Sequence, residues 1–583
     1  MKSSLSSANR GADRLALAMS RAGIDVVFSL SGNQIMPLYD ALLNTDNHTD
    51  SPVSPRIVHT RHEAAAVFMA EAHASVSGKP AIALVTAGPG FGNALGALYS
   101  ASMSEVPVIL LSGDSPISKD GKGPFQELDQ QAAVSPFVKA TFRLTLTEDP
   151  LVVFSQAMSI ATSGVPGPVH VALPADVLTM DMYGMKAGTL AGENSSYFKQ
   201  LLRISTLHHI ALDAQEPPIA NLHNKWGKLA EVLTNAERPL ILAGPHLFRG
   251  ARQKNQALLS NKLQAPIVVL ESPRGLRDPA QGALAKLISQ ADTLIYLGKP
   301  IDFTSGFGGM NAVLTNQFVI ISDDENTHDR GKACFAEKLK LSVALSPTDA
   351  VGSLLAHFDK SESLPCTNAG NSWRAAAIQA INHRQLLSED DASNQSKGVV
   401  QCVTKSMNSL SSAILVCDGG EFGQWSQAFS HADIRLTNGP SGAIGAGLAY
   451  AIGAKIARPD LPVFAFMGDG TVGFHLAEFE TASREGVDIT VVIGNDSRWN
   501  AEHHIQVRDY GEDRTHGCEL GKNVRYDIAA QGLGCEGILV ETINELEQAL
   551  KTSQATSIPT CINVIIPGAP APVYGEFDFE ESL

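Results

Sequence analysis

The stretch VFAFMGDGTVGFHLAEFETASREGVDITVVIGNDSRWN, residues 463–500, decides how this chain is read. It opens on a run of apolar, strand-like residues that ends at Gly468-Asp469-Gly470. It continues through TVGFHLAEFETASREG, whose spacing predicts one helix with an apolar face. A second strand, ITVVI, ends at Asn495-Asp496. In an open parallel sheet, ligands bind beyond the carboxyl ends of the strands, and both acids fall at such ends. The glycines beside Asp469 let backbone approach a ligand closely. The start of the following helix, from Thr471, favours an anion. Two strand-end carboxylates beside a phosphate-friendly helix start suit a hard cation such as magnesium, which takes oxygen ligands together with a bound phosphate. The triplet alone is an ordinary strand-to-helix turn. The triplet, a helix, a strand and an Asn-Asp pair in that order form a far more specific signal.

The chain around this stretch is 583 residues long, too many for one hydrophobic core. Lys and Arg total 44 against 60 Asp and Glu, a net charge of −16 that argues against nucleic-acid binding. The 7 cysteines are scattered without CxxC or metal spacing, as expected of free thiols in a reducing, cytoplasmic compartment. The N-terminal MKSSLSSANRGADRLALAMSRAGID has no long apolar core and no cleavage pattern, so no secretory signal is expected. No stretch reads as membrane-spanning.

Strand-like and helix-like segments alternate in three blocks, which predicts an α/β protein of three domains, each a parallel sheet flanked by helices. The first block, 1–185, carries VVFSL (26–30), RIVH (56–59), AIALVT (81–86), VPVILLSG (106–113) and VHVAL (169–173). The second, 226–360, carries LILAGP, PIVVLES, TLIYLGK and FVIISDD. The third, 373–583, carries AILVCDGG, VFAFMGDG, ITVVIGND and TCINVIIPG. The polar stretches 186–225 and 361–372 read as linkers, and the Pro-rich, acidic tail from 567 as a surface segment.

The opening stretch resembles the thiamine diphosphate motif. Likewise TRHEAAA (60–66), followed by ALVTAGPGFGNALGAL (83–98), resembles the N-terminal, pyrimidine-binding domain of acetolactate synthases and benzaldehyde lyases. The likeness extends along nearly the whole chain. It includes GNQIMPLYDAL (32–42), GPFQELDQ (123–130), RPLILAGP (238–245) and NGPSGAIGAGLAYAIGA (438–454). The resemblance implies that Asp469, Asp496 and the main-chain carbonyl of Arg498 hold a magnesium ion gripping the diphosphate, within the segment Gly468 to Thr471 that includes Gly470. The family usually has Asn where Asp496 stands. Asn495 is the ligand in an alternative register, but the spacing to Asp496 fits the family better. The resemblance also implies backbone contacts to the diphosphate at Gly420, Glu421 and Phe422, and an apolar wedge under the cofactor at Ile444.

Glu63 lies at a strand-to-helix transition, where a carboxylate commonly does no more than stabilise a helix start. The resemblance gives it a second role, hydrogen-bonding the cofactor's aminopyrimidine so that the thiazolium carbon can lose its proton. Asn33, Gln34, Phe125 and Gln126 correspond to positions facing substrate, with Trp499 and His503 covering the pocket. Gln34 and Gln126 are candidate catalytic contacts. Where benzaldehyde lyase has a His near residue 34, this chain has amides. His59 and His62 are read as structural. A polar, non-titrating pocket suits carboligation, where early protonation must be avoided; Gln34 equally suits steering water or substrate.

The expected activity is a carboligase or decarboxylase acting on 2-oxo acids. The first alternative is a lyase cleaving 2-hydroxy ketones or 2-hydroxyacyl thioesters, and the second is a catalytically silent binding subunit. Retention of Glu63 and both strand-end acids argues against the silent reading. The central block lacks the longer segment with which acetolactate synthases help hold FAD, so FAD is not expected. The resemblance implies a homodimer or homotetramer with active sites between chains.

Overall fold

A computed structural model describes residues 10–43, 55–182, 219–308, 317–359, 364, 368–387, 389–522 and 524–574. Its frame is three all-parallel sheets. The strands of the first are β1 (Val26–Ser29), β2 (Arg56–His59), β3 (Ala81–Val85), β4 (Val108–Asp114), β5 (Ala140–Arg143) and β6 (Val169–Pro174). They lie in the order β2-β1-β3-β4-β6-β5. The central strands read as unbroken apolar runs because helices cover both faces, so alternation with polar residues is lost. Ser29 pairs with His59 on one side and Leu84 on the other, and Val85 pairs with Ser112. This register brings the ends of the first four strands to one edge. The segments that follow them carry Gln34, Glu63, Thr86 and Gln126. Leu15, Leu111, Phe154 and Leu173 lie in the core on one face of this sheet.

The second sheet has β7 (Pro239–Ala243), β8 (Ile267–Val269), β9 (Thr293–Leu297), β10 (Gln317–Ser322) and β11 (Leu339–Ala344), ordered β11-β10-β9-β7-β8. The third has β12 (Ile414–Cys417), β13 (Ile434–Thr437), β14 (Val463–Gly468), β15 (Thr490–Asn495), β16 (Glu536–Val540) and β17 (Thr560–Ile565), ordered β13-β12-β14-β15-β17-β16. Cys417 pairs with Phe466 and Gly468 with Gly494, so the ends of β12, β14 and β15 share an edge. Phe464, Phe466, Val492 and Ile562 pack with Trp425 and Leu546 in the core beneath.

The chain packs as two units. The first holds Met1–Ala74 and Lys79–Ala214; the second holds Ser75–Gly78 and Gln215–Leu583. The second and third sheets therefore share a unit. Within it, the guanidinium of Arg435 on β13 donates to Glu271 at 2.7 Å and also meets Asp278.

Several elements differ from the sequence expectation. The strands β5, β11, β13 and β16 were not foreseen. The helix expected after Asp469 is broken into Asp469–Val472 and Glu478–Arg484. The Ile219–Thr234 helix begins inside the stretch read as a linker, most of which lies outside the described residues. The Asn368–Ile381 helix begins inside the second expected linker. Its Trp373 packs with Leu240 and Leu242 of the second sheet, and its indole donates to the Pro239 carbonyl at 2.9 Å. The tail is anchored as far as Tyr574, whose hydroxyl donates to the Pro279 carbonyl at 3.0 Å; residues 575–583 lie outside the described residues. No helix among the described residues is long and apolar enough to cross a membrane.

Candidate active site

Beyond the carboxyl ends of β12, β14 and β15 lies a cavity of about 270 Å³. Gly420, Glu421 and Phe422 border it from the Gly420–Phe429 helix, and Ile444 from the loop after β13. Gly468, Asp469, Gly470 and Thr471 border it from the end of β14. Asp496, Arg498 and Trp499 complete that wall, and Arg274, Glu502 and Asn438 also line the cavity. The structure thus brings together residues as distant in sequence as Gly420 and Asp496, 76 positions apart, because three adjacent strands end there.

The two acids are the electrostatic centre of this cavity. Asp469 is 3 % exposed and accepts the Gly470 amide at 3.0 Å. Burial pushes its carboxyl up to about 6, against relief from the main-chain amides of Gly470, Ser497 and Arg498. Asp496 is pushed up to about 7, first by burial and then by the charge of Asp469. Two desolvated carboxylates, one of them raised further by the charge of the other, are a poor arrangement alone and a good one around a divalent cation. Asn495 does not line the cavity, and its Oδ1 has no hydrogen-bond partner among the described residues. Its side-chain amide donates to the Val524 carbonyl and to Asn563 Oδ1, each at 3.1 Å, and it is 1 % exposed. Among the described residues, no group of three or more His, Cys, Asp or Glu side chains is placed to hold a metal. A cation here would have two carboxylates, and main chain, ligand oxygens and water would have to complete its shell.

Close backbone approaches shape the walls. A Cβ on Gly470 would lie 2.7 Å from the Trp499 ring, and one on Gly494 would lie 2.4 Å from the Phe422 ring. Ile444 is held by a device that sequence reading passed over. Asp418, at the end of β12, is fully buried, and its carboxylate accepts the amides of Gly419 at 2.6 Å, Gly445 at 3.0 Å and Gly447 at 3.0 Å. Burial raises its pKa to about 6. The Gly445 carbonyl in turn meets His475 Nδ1 at 2.8 Å. The sequence signal was present as an acid before a glycine pair, but its partners lie far away in sequence.

A second group of candidate residues lies in the first unit. Glu63 opens the Glu63–Ser77 helix, is 8 % exposed and accepts the Asn93 side-chain amide at 3.0 Å. A Cβ on Gly90 would lie 3.2 Å from Glu63 Oε1. Gln34 donates to Gln126 Oε1 at 2.7 Å and accepts the Thr86 hydroxyl at 2.6 Å. Gln126 has φ 62, the left-handed region that a non-glycine residue rarely occupies. Asn33 is exposed, as is Phe125 at 71 %. His59 pairs with Ser31 at 3.2 Å, and His62 accepts the Ala64 amide at 3.1 Å. His503 meets Arg498 at 3.4 Å.

Comparison with known proteins adds to this geometry. Residues 9–133 match the family described as thiamine pyrophosphate enzyme, N-terminal TPP binding domain, and residues 418–564 match its C-terminal TPP binding domain. The chain is 28 % identical to a probable acetolactate synthase of Mycobacterium bovis, over 94 % of each chain. It is 29 % identical to 2-hydroxyacyl-CoA lyase 2 of Homo sapiens, covering 94 % of this chain and 87 % of that one. Its fold matches the Rhodococcus jostii thiamine diphosphate-dependent 4-hydroxybenzoylformate decarboxylase with a TM-score of 0.72 and 20 % identity, over 96 % of this chain and 99 % of that one.

Proposed function

Because this chain belongs to the thiamine pyrophosphate enzyme family, we propose that it is a thiamine diphosphate- and magnesium-dependent carboligase or decarboxylase acting on 2-oxo acids. The cavity fits such a cofactor: a buried and a half-buried carboxylate, both of raised pKa, face a space edged by glycines, with Ile444 in its lining. Asp469, Asp496 and the Arg498 carbonyl would hold magnesium. Gly420, Glu421, Phe422 and the Gly468–Thr471 turn would hold the diphosphate. When bound, thiamine diphosphate supplies a carbon nucleophile and an electron sink for cleaving or forming a bond next to a carbonyl.

The protein's own groups then do the following. Glu63 would hold a proton against the pyrimidine, and Asn93 donates to that carboxyl. Ile444 would pack against the bound cofactor, and Asp418 holds the loop that carries Ile444. Gln34 and Gln126 present amides to the substrate.

One observation carries the choice of carboligation. The polar side chains joined here are two amides and a hydroxyl, which do not titrate. A site without a proton donor at this point protects a carbon nucleophile long enough to meet a second carbonyl. Cleavage of 2-hydroxy ketones or 2-hydroxyacyl thioesters is the competing reading, supported by the likeness to 2-hydroxyacyl-CoA lyase 2. The test incubates the protein with thiamine diphosphate, magnesium and a panel of 2-oxo acids, with and without aldehydes, and in parallel with 2-hydroxyacyl thioesters. Carbon dioxide release with formation of 2-hydroxy ketones supports the proposal. Thioester cleavage without 2-oxo acid turnover refutes it in favour of the lyase.

A further inference from the structure

Thr86, Gln34 and Gln126 form a chain of hydrogen bonds with a direction, and the direction has a chemical consequence. The Thr86 hydroxyl donates to Gln34 Oε1 at 2.6 Å, and the Gln34 amide donates to Gln126 Oε1 at 2.7 Å. The reverse arrangement would make Thr86 an acceptor and leave its proton without a partner among the described residues. Thr86 is half-buried, and a donor left there without a partner costs more than an unused lone pair. Thr86 is also held in place: a Cβ on Gly32 would lie 2.3 Å from its hydroxyl oxygen, and one on Gly90 would lie 2.7 Å from its methyl group. Each amide downstream is thereby polarised the same way. Gln126 uses its carbonyl inside the chain and is left with an NH2 group that makes no hydrogen bond there.

The loop that carries Gln126 is fixed as well. The Glu127 carboxylate accepts the amides of Gly121 at 2.6 Å and Gly123 at 3.0 Å. Gln126 itself stands at φ 62, with its Cβ 2.9 Å from where a Cβ on Gly88 would be.

We propose that Thr86 is a positioning residue which, through Gln34, orients Gln126 to present two N–H donors, selecting a substrate by an acceptor-only oxygen, the carboxylate or keto oxygen of a 2-oxo acid. This inference rests on the proposed assignment of Gln126 to the substrate pocket and adds the polarity of that contact and the residue that sets it. Thr86→Val keeps the shape and removes the donor, which frees both amides to turn over. Thr86→Ser keeps the donor.

The experiment uses the cofactor-loaded protein carrying Glu63→Gln, so that chemistry is slow, and measures calorimetric binding of pyruvate and of phenylglyoxylate. Thr86→Val should weaken whichever probe binds by about 10-fold, the loss of roughly one hydrogen bond to a charged group. Thr86→Ser should bind within about 2-fold of its parent, since the donor is retained. In the Glu63 enzyme, the Thr86→Val loss should appear chiefly in KM. Equal binding by Thr86→Val and its parent overturns the inference. So does a Thr86→Ser defect as large as that of Thr86→Val, which would make packing the cause, and so does failure of both probes to bind. If the binding pattern holds but no 2-oxo acid is turned over, the relay stands and the proposed activity falls. Turnover with an unchanged Thr86→Val enzyme does the reverse.

Discussion

Asp496→Asn should stabilise the metal-free protein at alkaline pH, although it alters a proposed metal ligand. Asp496 is raised from an ordinary 3.8 to about 7 by burial and by Asp469. At about 1.36 kcal/mol per pH unit this corresponds to about 4 kcal/mol for ionising Asp496 in the folded cavity rather than in the unfolded chain. Water entering the cavity reduces the figure to about 1–3 kcal/mol. A carboxyl raised on folding contributes stability that is present below its unfolded pKa and lost as pH rises through its folded pKa. The loss from Asp496 therefore runs from about pH 4 to about pH 7 and is complete above that. Asn has the same shape and no charge, so the variant avoids the loss. The assay is urea unfolding of chelator-treated wild type and variant across that range. The two should nearly coincide at the acid end and separate by about 1–3 kcal/mol in favour of the variant near pH 8. Magnesium with thiamine diphosphate should shrink the gap by giving the wild-type charge a partner. A variant no more stable than wild type near pH 8, or a gap that does not change with pH, would refute the account of this acid pair.

Three further outcomes follow from the same geometry. Asp469→Ala should abolish retention of thiamine diphosphate by the purified protein, while Asn495→Ala should leave metal affinity within about 3-fold because Asp496 lines the cavity and Asn495 does not; release of magnesium by Asn495→Ala alone would reverse that assignment. Asp418→Ala strips the acceptor from three glycine amides and should destabilise the protein by about 3–5 kcal/mol in denaturant, an effect that a loss under 1 kcal/mol would contradict. Mixing inactive Glu63→Gln chains with inactive Asp469→Ala chains should restore activity through hybrid sites between subunits, which full activity of a demonstrated monomer would exclude.

What could be read from the sequence follows burial. Strands β1, β3, β4, β6, β9, β12, β14, β15 and β17 are apolar throughout or nearly so, and each was legible as a run. The four that were missed, β5, β11, β13 and β16, all lie at sheet edges. ATFR and IRLT show the reason: an edge strand is covered less, so its residues need not be apolar and the run dissolves. Two other edge strands, RIVH and IVV, were legible because short apolar runs survived in them. The helix after Asp469 was drawn too long because Gly473 to Ala477 keeps an apolar spacing while turning. The strand-end acids were legible because strand ends can be located from apolar runs. Asp418, His475 and Thr86 were not singled out, because their roles depend on loops that approach only in the folded chain. Such long-range hydrogen bonds leave no period in the sequence.

The central claim, that this chain activates thiamine diphosphate and that Glu63 is the group responsible, is tested most directly by exchange of the cofactor's thiazolium proton. Protein loaded with thiamine diphosphate and magnesium is mixed with deuterated water, quenched in acid and read by NMR. Wild type should exchange faster than Glu63→Gln by roughly 10²–10⁴-fold, the range of general acid–base assistance, while both bind the cofactor with similar affinity. Equal exchange rates in the two proteins, with cofactor bound in both, would contradict the claim.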